Sequence, residues 1–360
     1  TNEHSELCAE CRYEKNRDRA SPSAAEGVKH LYRAAGRRIL LAGATGYIGR
    51  AVAAELAGRG DEVLAVVRRQ AGGTDPRLDT GLSGSITRLV VEVTDAKALT
   101  EAVAGQHVDA VVSCIASRTG VPADAWRVDY QANLNLLDAA RGAGARHFQL
   151  LSALCVQKPR IEFQRAKLAF EAELAGSGLE YTSVRPTAFF KSLAGQVNRV
   201  LRGKPFLVFG DGALTACKPI GEADLARYMA DCLEDPERAN RILPIGGPGP
   251  AVTPRDQGEL LFDLTGLRPK FRRVSPRIFD AALIPLGPLG AMVPALAAKA
   301  ELARIGRYYA TESMLVWDAE RQAYDAAATP EYGSETLRDF YRRVLEKGLA
   351  GQELGDHRLF

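Results

Sequence analysis

Short apolar segments recur along the first half of the chain, and stretches with helical spacing of apolar residues lie between them. The apolar segments occupy residues 38–42, 62–67, 86–93, 108–115, 147–152 and 181–185. Strands that alternate with helices form a parallel sheet that is covered by helices on both faces. The pattern therefore predicts an α/β fold with a doubly wound parallel sheet, whose ligands lie at the carboxyl ends of the strands.

Three glycines follow the first predicted strand with the spacing G-x-x-G-x-x-G, and an amphipathic helix begins directly after them. Gly43 suits the tight turn, Gly46 allows the backbone to approach a pyrophosphate, and Gly49 allows close packing of the helix on the strand. This context predicts a dinucleotide-binding site. The loop residues expected to bind the cofactor are Gly43, Thr45, Gly46, Tyr47, Ile48 and Gly49.

The residues after the second and third predicted strands bear on the choice of dinucleotide. Arg68 and Arg69 stand where a cofactor without a 2′-phosphate is usually met by an acidic residue, so they favour NADPH over NADH. Asp95 follows the third strand and has two open roles. It either accepts a hydrogen bond from the adenine amino group or caps the helix that begins at Ala96.

Composition places the chain among ordinary folded proteins. It has 360 residues, of which 46% are hydrophobic and 25% are charged, and its formal net charge is +3. The basic residues do not form runs with interleaved aromatics, which argues against a nucleic-acid partner. We therefore expect a small-molecule ligand, whereas the sequence gives no indication of the oligomeric state.

Six cysteines are spread along the chain without a disulfide-like framework, which indicates a reducing compartment. Cys8 and Cys11 have metal-ligand spacing, but no second pair lies at zinc-finger distance, so we expect no metal site. Residues 1–35 show little apolar periodicity and are expected to form a flexible extension. Their acidic side chains are not typical of a transit peptide.

The glycine spacing and the strand series together resemble the extended and atypical short-chain dehydrogenase/reductases, which implies a Rossmann fold. In that family a Ser, a Tyr and a Lys act together, and Ser152 and Lys167 stand at the Ser and Lys positions. Phe163 stands four residues before Lys167, so the family's phenol is absent. The resemblance implies that Lys167 holds the nicotinamide ribose and that Pro186 borders the cofactor.

Other roles for these side chains remain open. Lys167 could pair with Glu171 on an exposed helix face, and Ser152 could be a capping or turn residue. Cys155 and Tyr130 are candidate proton donors, although buried packing is an alternative for both. Phe163, Phe189 and Phe190 are expected to line a pocket for a flat substrate, and the last two would also suit a core.

The pattern becomes looser beyond residue 190, which predicts a smaller C-terminal portion. We divide the chain into the extension at 1–35, an NADPH-binding Rossmann domain at 36–187, and a substrate-binding portion at 188–360 that is partly interleaved with the sheet. The uncharged run at 281–298 contains prolines and glycines that would break a lipid-exposed helix. We interpret this run as a pocket wall or as a patch that makes weak peripheral contact with a membrane.

Several longer strings resemble the NADPH-dependent divinyl chlorophyllide 8-vinyl reductases much more specifically than the glycine motif does. They are LSALCVQKP at 151–159, EFQRAKL at 162–168, VRPTAFFKSL at 184–193, FGDG at 209–212, CKPI at 217–220 and LPIGGPG at 243–249. The resemblance implies reduction of the 8-vinyl group of divinyl chlorophyllide or protochlorophyllide to ethyl, in chlorophyll or bacteriochlorophyll biosynthesis. It also implies a photosynthetic organism, and the acidic extension favours the cytoplasm of a bacterium.

Two other functions remain compatible with the sequence. One is a redox sensor that binds NADPH without turnover, which the missing phenol would suit. The other is a reductase of a different conjugated alkene or of a quinone. The identity of the proton donor is left open.

Overall fold

A computed structural model describes residues 36–68, 86–290 and 293–348. The strands are β1 Arg38–Ala42, β2 Glu62–Val67, β3 Ile86–Val90, β4 Ala110–Ser113, β5 His147–Leu151, β6 Glu180–Pro186, β7 Phe206–Phe209, β8 Arg241–Ile245, β9 Phe271–Val274, β10 Val316–Asp318 and β11 Ala323–Asp325. The α-helices are α1 Tyr47–Gly58, α2 Ala96–Val103, α3 Pro122–Ala125, α4 Ala132–Gly142, α5 Glu162–Ala175, α6 Phe190–Leu193, α7 Val197–Leu201, α8 Glu222–Cys232, α9 Pro254–Thr265, α10 Arg277–Gly290, α11 Pro294–Thr311 and α12 Leu337–Lys347. One π-helical turn lies at Trp126–Gln131, and 3₁₀ turns lie at Leu154–Gln157, Ala194–Gln196 and Pro236–Arg238.

Seven strands form one sheet in the order β3-β2-β1-β4-β5-β6-β8, and every neighbouring pair is parallel. This confirms the predicted doubly wound sheet. The strand order reverses between β1 and β4, so the crevice for a ligand opens beyond the carboxyl ends of these two strands. The glycine loop follows β1 and therefore lies at this crevice.

Helices cover the sheet on both faces. Successive side chains of β1 point to opposite faces of the sheet, and both sets are buried. Ile39 and Leu41 belong to a core cluster with α1 and α8, whereas Leu40 belongs to a second cluster with α2, α4 and α5. A side chain of this size contributes about 1.5–3 kcal/mol when it is fully buried. Burial on both faces explains why these strands have continuous apolar sequences rather than alternating ones.

The C-terminal portion contributes a strand to the sheet. Strand β8 pairs with β6, and α8 packs against α1 beside the glycine loop. A separate core forms around Phe190, Phe206 and Phe340. Both portions thus contribute to the sheet and to its helical cover, although the sequence pattern divides them at residue 187.

The uncharged run at 281–298 is more helical than its prolines predict. Helix α10 continues through Pro285 to Gly290. Pro285 has no N–H, so the carbonyl of Ala281 loses its hydrogen bond within the helix. Ala281 is exposed, and water can donate to its carbonyl instead. In the part of the chain that the structure describes, no helix is long and apolar enough to cross a membrane.

Candidate cofactor and active site

The glycine loop lies directly against the backbone that follows β4. Gly43 has a φ of +85°, and a Cβ at this position would lie 2.7 Å from the carbonyl oxygen of Cys114. A Cβ on Gly49 would lie 2.0 Å from the carbonyl oxygen of Gly43. Any side chain at either position would push the loop away from β4 or from α1.

The first turn of α1 is open toward the crevice. Gly46 is the N-cap, it is exposed, and its N–H donates to the Gly43 carbonyl at 2.9 Å. Among the described residues, no side chain caps this helix. Its first N–H groups and the positive end of its dipole can therefore bind an anion, and the absence of a Cβ lets that anion approach closely. This cradle fits the pyrophosphate of a dinucleotide.

Tyr47 fastens the loop to the C-terminal portion. Its hydroxyl donates to Glu222 Oε2 of α8 at 2.5 Å, and its ring meets Phe189 edge to face. Burial, and then the Glu222 carboxylate, raise the pKa of Tyr47 far above its usual range. The Tyr47 hydroxyl thus has its hydrogen-bond partner within the protein. Thr45 lies in the turn before α1, and Ile48 is buried in the first turn of this helix.

The other residues predicted to bind the cofactor lie along the same edge of the sheet. Arg68 is exposed directly after β2, whereas Arg69 lies outside the described residues. Asp95 caps α2, since its Oδ1 accepts from the Ala98 N–H at 3.0 Å, which favours the capping role over an adenine contact. Pro186 is buried at the end of β6. Their contacts with a cofactor remain predictions.

Lys167 forms a buried ion pair. Its Nζ lies 2.9 Å from Asp129 Oδ1, and the two side chains are only 8% and 1% exposed. The alternative prediction, that Lys167 pairs with Glu171, is wrong. The Glu171 carboxylate accepts a hydrogen bond from the Ser183 hydroxyl and pairs with Arg185. The structure thus pairs Lys167 with Asp129, which the sequence does not indicate, and the role of Lys167 in the site stays a prediction.

The π-helical turn positions Asp129. Its backbone carbonyl accepts from Asn133 Nδ2 at 3.0 Å, and the Asn133 side-chain oxygen accepts from the Ser113 hydroxyl at 2.6 Å. This network fastens Asp129 to the end of β4. A signal in the sequence was available, since Asp129 falls on the same helical face as the buried Ala125 and Leu136.

Two thiols show where the charge of Lys167 acts. Burial raises the pKa of Cys114 to about 12, and the nearby Lys167 opposes this increase. Burial also raises the pKa of Cys155, and the charge of Lys167 again opposes the increase. Cys114 follows β4 and Cys155 follows β5, so the lysine lies at the carboxyl ends of these strands.

Ser152 directly follows β5 and has an unsatisfied hydroxyl. Its N–H donates to the Val184 carbonyl at 2.8 Å, and the residue is 5% exposed. Its Oγ is buried and has no hydrogen-bond partner within the described ranges. A capping role is therefore not observed. A buried hydroxyl without a partner is costly, and a polar group of a bound ligand would remove that cost.

An apolar wall forms beside these residues where α11 packs on the 3₁₀ turn after β5. Phe163, Cys155, Ile305 and Tyr309 belong to this wall. The Phe163 ring thus belongs to this wall, and its role as pocket lining stays a prediction. Phe189 is half-buried, whereas Phe190 is fully buried against Phe340, which favours a core role for Phe190 over the predicted pocket role.

The two proton donors that the sequence suggests, Tyr130 and Cys155, lie in different surroundings. The Tyr130 hydroxyl donates to Glu173 on an exposed part of the surface, at 3.4 Å. Cys155 is buried next to the site, and burial raises the pKa of its thiol, so the thiol carries a proton and its role as a donor stays a prediction. In the described ranges, no three His, Cys, Asp or Glu side chains are grouped to bind a metal, and Cys8 and Cys11 lie outside these ranges.

Known proteins identify this arrangement. A family model described as NAD(P)H-binding matches residues 43–236. The chain is 51% identical over 352 residues to the chloroplastic divinyl chlorophyllide a 8-vinyl-reductase of Zea mays, covering 94% of this chain and 88% of the relative. The chain belongs to the divinyl chlorophyllide a 8-vinyl-reductase family. The family member from Arabidopsis thaliana is 48% identical over 88% of this chain and 79% of its own length.

Solved structures extend the likeness in fold beyond this 8-vinyl-reductase family. A leucoanthocyanidin reductase of Vitis vinifera, in a binary complex with NADPH, superposes with a TM-score of 0.62. It is 15% identical in sequence, and the match covers 86% of this chain and 100% of that chain. A UDP-glucose 4-epimerase of Thermotoga maritima also has a TM-score of 0.62, at 18% identity over 88% of this chain and 100% of that one. Enzymes with different names thus share this fold.

Proposed function

We propose that this protein reduces the 8-vinyl group of divinyl chlorophyllide, or of its protochlorophyllide counterpart, to ethyl with NADPH. The observation that carries the proposal is the near-complete match, at about half identity, to the 8-vinyl reductase of Zea mays. The site supports it, because Lys167 and Ser152 are present and Phe163 replaces the phenol that carbonyl reduction requires. A conjugated alkene does not need an acid aimed at a carbonyl oxygen.

The residues of the chain divide the work between binding and orientation. The glycine loop and the open turn of α1 would hold the pyrophosphate. Lys167 donates one of its three hydrogens to Asp129 and can donate the others to ribose hydroxyls. Ser152 offers its unpaired hydroxyl next to the same ligand. NADPH, when bound, supplies the hydride.

The test is a pigment assay with purified protein. Divinyl chlorophyllide a is incubated with NADPH or NADH, and the products are separated by chromatography and identified by their absorbance spectra. Conversion to the monovinyl pigment with NADPH supports the proposal. Tight NADPH binding without a pigment change would instead favour a redox sensor, and NADPH oxidation by a quinone alone would favour a quinone reductase.

Arg68 is expected to decide the preference for NADPH. It is exposed at the end of β2, where a guanidinium can pair with a 2′-phosphate. The variant Arg68→Ala should bind NADPH about 10- to 100-fold more weakly, because a hydrogen bond to a charged group contributes about 1.5–3 kcal/mol. Its affinity for NADH should remain unchanged. Fluorescence titration with both dinucleotides measures this, and an equal loss for both would contradict the assignment.

We also propose that the protein works in a photosynthetic cell. In that cell it contacts an anionic lipid surface through α10. The exposed face of this helix carries Ile278 and Ile284, which are 57% and 76% exposed. Five basic and no acidic residues lie between Asp263 and Asp280, directly before this face. The basic residues are Arg268, Lys270, Arg272, Arg273 and Arg277, and all five are exposed. Exposed apolar side chains beside clustered positive charge are typical of a peripheral lipid contact.

Vesicle sedimentation tests this contact. We expect binding to vesicles that contain phosphatidylglycerol, weaker binding at high salt, and no binding to pure phosphatidylcholine. Ile284→Glu should abolish binding, whereas Leu201→Glu, which alters an exposed leucine on α7, should not. Equal binding of both variants would refute the lipid contact, and a concentration-dependent dimer that Ile284→Glu disrupts would assign the face to a second copy.

A further inference from the structure

The absence of a phenol at position 163 leaves the proton donor unassigned. Reduction of a vinyl group to ethyl breaks one π bond and forms two C–H bonds, one from a hydride and one from a proton. The dinucleotide is the electron donor and is oxidised in this step. Hydride addition to the terminal vinyl carbon leaves negative charge that spreads into the macrocycle, and the inner carbon then requires a proton.

A different tyrosine packs against the same apolar cluster as Phe163. Helix α11 carries Tyr308 and Tyr309, whose rings meet edge to face with their centroids 5.7 Å apart. The Tyr308 hydroxyl donates to the Cys155 carbonyl at 2.9 Å, which fastens α11 to the turn three residues after Ser152. Tyr309 lies next to Cys155, packs against the same apolar cluster as Phe163, and is half-buried.

The surroundings of Tyr309 differ from those of four other tyrosines. The hydroxyls of Tyr47, Tyr130 and Tyr324 donate to carboxylates, and that of Tyr308 donates to a carbonyl. Tyr309 instead lies against the thiol of Cys155, which is a weak acceptor. The proton of Tyr309 is thus not committed to a strong acceptor, and part of its surface remains accessible.

We propose that Tyr309 is the catalytic proton donor, supplied by α11 in place of the phenol that α5 lacks. This inference rests on the proposed vinyl reduction. The Tyr309 O–H bond breaks as the C–H bond to the inner vinyl carbon forms, and the phenolate regains a proton from water. Burial, with Cys155 and Tyr308 nearby, raises the pKa of Tyr309 well above its usual value, so the phenol carries its proton at neutral pH. Lys167 and Ser152, next to Cys155, would orient the reactants at the same wall.

The test compares Tyr309→Phe with Tyr130→Phe. Tyr309→Phe should lower kcat by at least about 100-fold, as expected for loss of a general acid, and leave the KM for pigment within about threefold. NADPH affinity, measured by fluorescence titration without turnover, and the melting temperature should stay close to those of the wild type. Tyr130→Phe removes a hydroxyl that faces Glu173 on the surface, and its kcat should not change.

Two further variants keep the assignment falsifiable. Tyr309→His should retain more turnover than Tyr309→Phe, and its kcat should fall as the pH rises through about 6.5, because only the imidazolium can donate a proton. A kcat of Tyr309→His that is independent of pH would count against the proposal. Loss of turnover in Cys155→Ala combined with an active Tyr309→Phe would assign the proton to the thiol instead.

The outcomes separate this inference from the proposed function. An active wild-type protein with an equally active Tyr309→Phe would refute the role of Tyr309 and leave vinyl reduction standing. A wild-type protein that binds NADPH but does not convert the pigment would refute both.

Discussion

Replacement of Lys167 by Met is expected to lower both the stability and the turnover of the protein. Lys167 neutralises Asp129, which is 1% exposed, and Met retains the length of the side chain but not its charge. A buried carboxylate that loses its cation costs about 3–5 kcal/mol of unfolding free energy. Turnover should fall by at least about 100-fold, because the cofactor loses the group that orients it.

A double variant separates the two effects. Adding Asp129→Asn to Lys167→Met removes the uncompensated charge, so most of the lost stability should return. Turnover should not return, because no ammonium group is restored. The measurements are chemical denaturation and the pigment assay. A double variant that remains as unstable as Lys167→Met would refute the ion pair as the cause, and an active Lys167→Met would remove the lysine from the catalytic site.

The side chains that the sequence predicts well are those at fixed distances from a strand or a motif. Lys167 and Ser152 occupy family positions relative to β5 and α5, and both prove to be buried at the carboxyl edge of the sheet. The close backbone packing at Gly43 and Gly49 can also be predicted from sequence, because a short loop between a strand and a helix can adopt few backbone conformations. Local spacing is sufficient where one turn of the chain determines the geometry.

Asp129 and Tyr309 could not be predicted in this way, and the reasons are physical. Asp129 reaches Lys167 from a π-helical turn, and its spacing from Ala125 and Leu136 indicates a buried face but does not identify the cation that it meets. Tyr309 reaches Cys155 from α11, far along the chain, so this proximity depends on how the C-terminal portion packs on the turn after β5. The sequence also divides the chain at residue 187, whereas Tyr47 and Glu222 connect the two portions through a hydrogen bond.

This connection gives the C-terminal portion a direct role in the cofactor site. Tyr47 belongs to the glycine loop, and Glu222 begins α8, which packs on α1. Glu335 lies near the same phenol, and burial raises the pKa of its carboxyl group. The loop that would hold the pyrophosphate is therefore fastened by residues beyond the Rossmann domain, and its geometry depends on correct packing of both portions.

Replacement of Gly49 by Ala should disrupt the loop itself. The added Cβ would lie 2.0 Å from the Gly43 carbonyl oxygen and 2.7 Å from its carbon, and these are backbone atoms that cannot rotate away. Helix α1 must then move off the loop, at a cost of about 1–3 kcal/mol of stability for an overpacked site. We expect NADPH affinity to fall by at least about 100-fold, because the open N–H groups of α1 no longer face the pyrophosphate.

Gly58 provides the matched control on the same helix. It is the last residue of α1, and a Cβ there would meet nothing within 4 Å. Gly58→Ala should raise stability by up to about 1 kcal/mol, because alanine loses less backbone entropy in a helix, and it should leave NADPH affinity unchanged. Thermal melting and fluorescence titration of both variants measure the contrast. Wild-type affinity in Gly49→Ala would show that close contact between loop and helix is not what binds the dinucleotide.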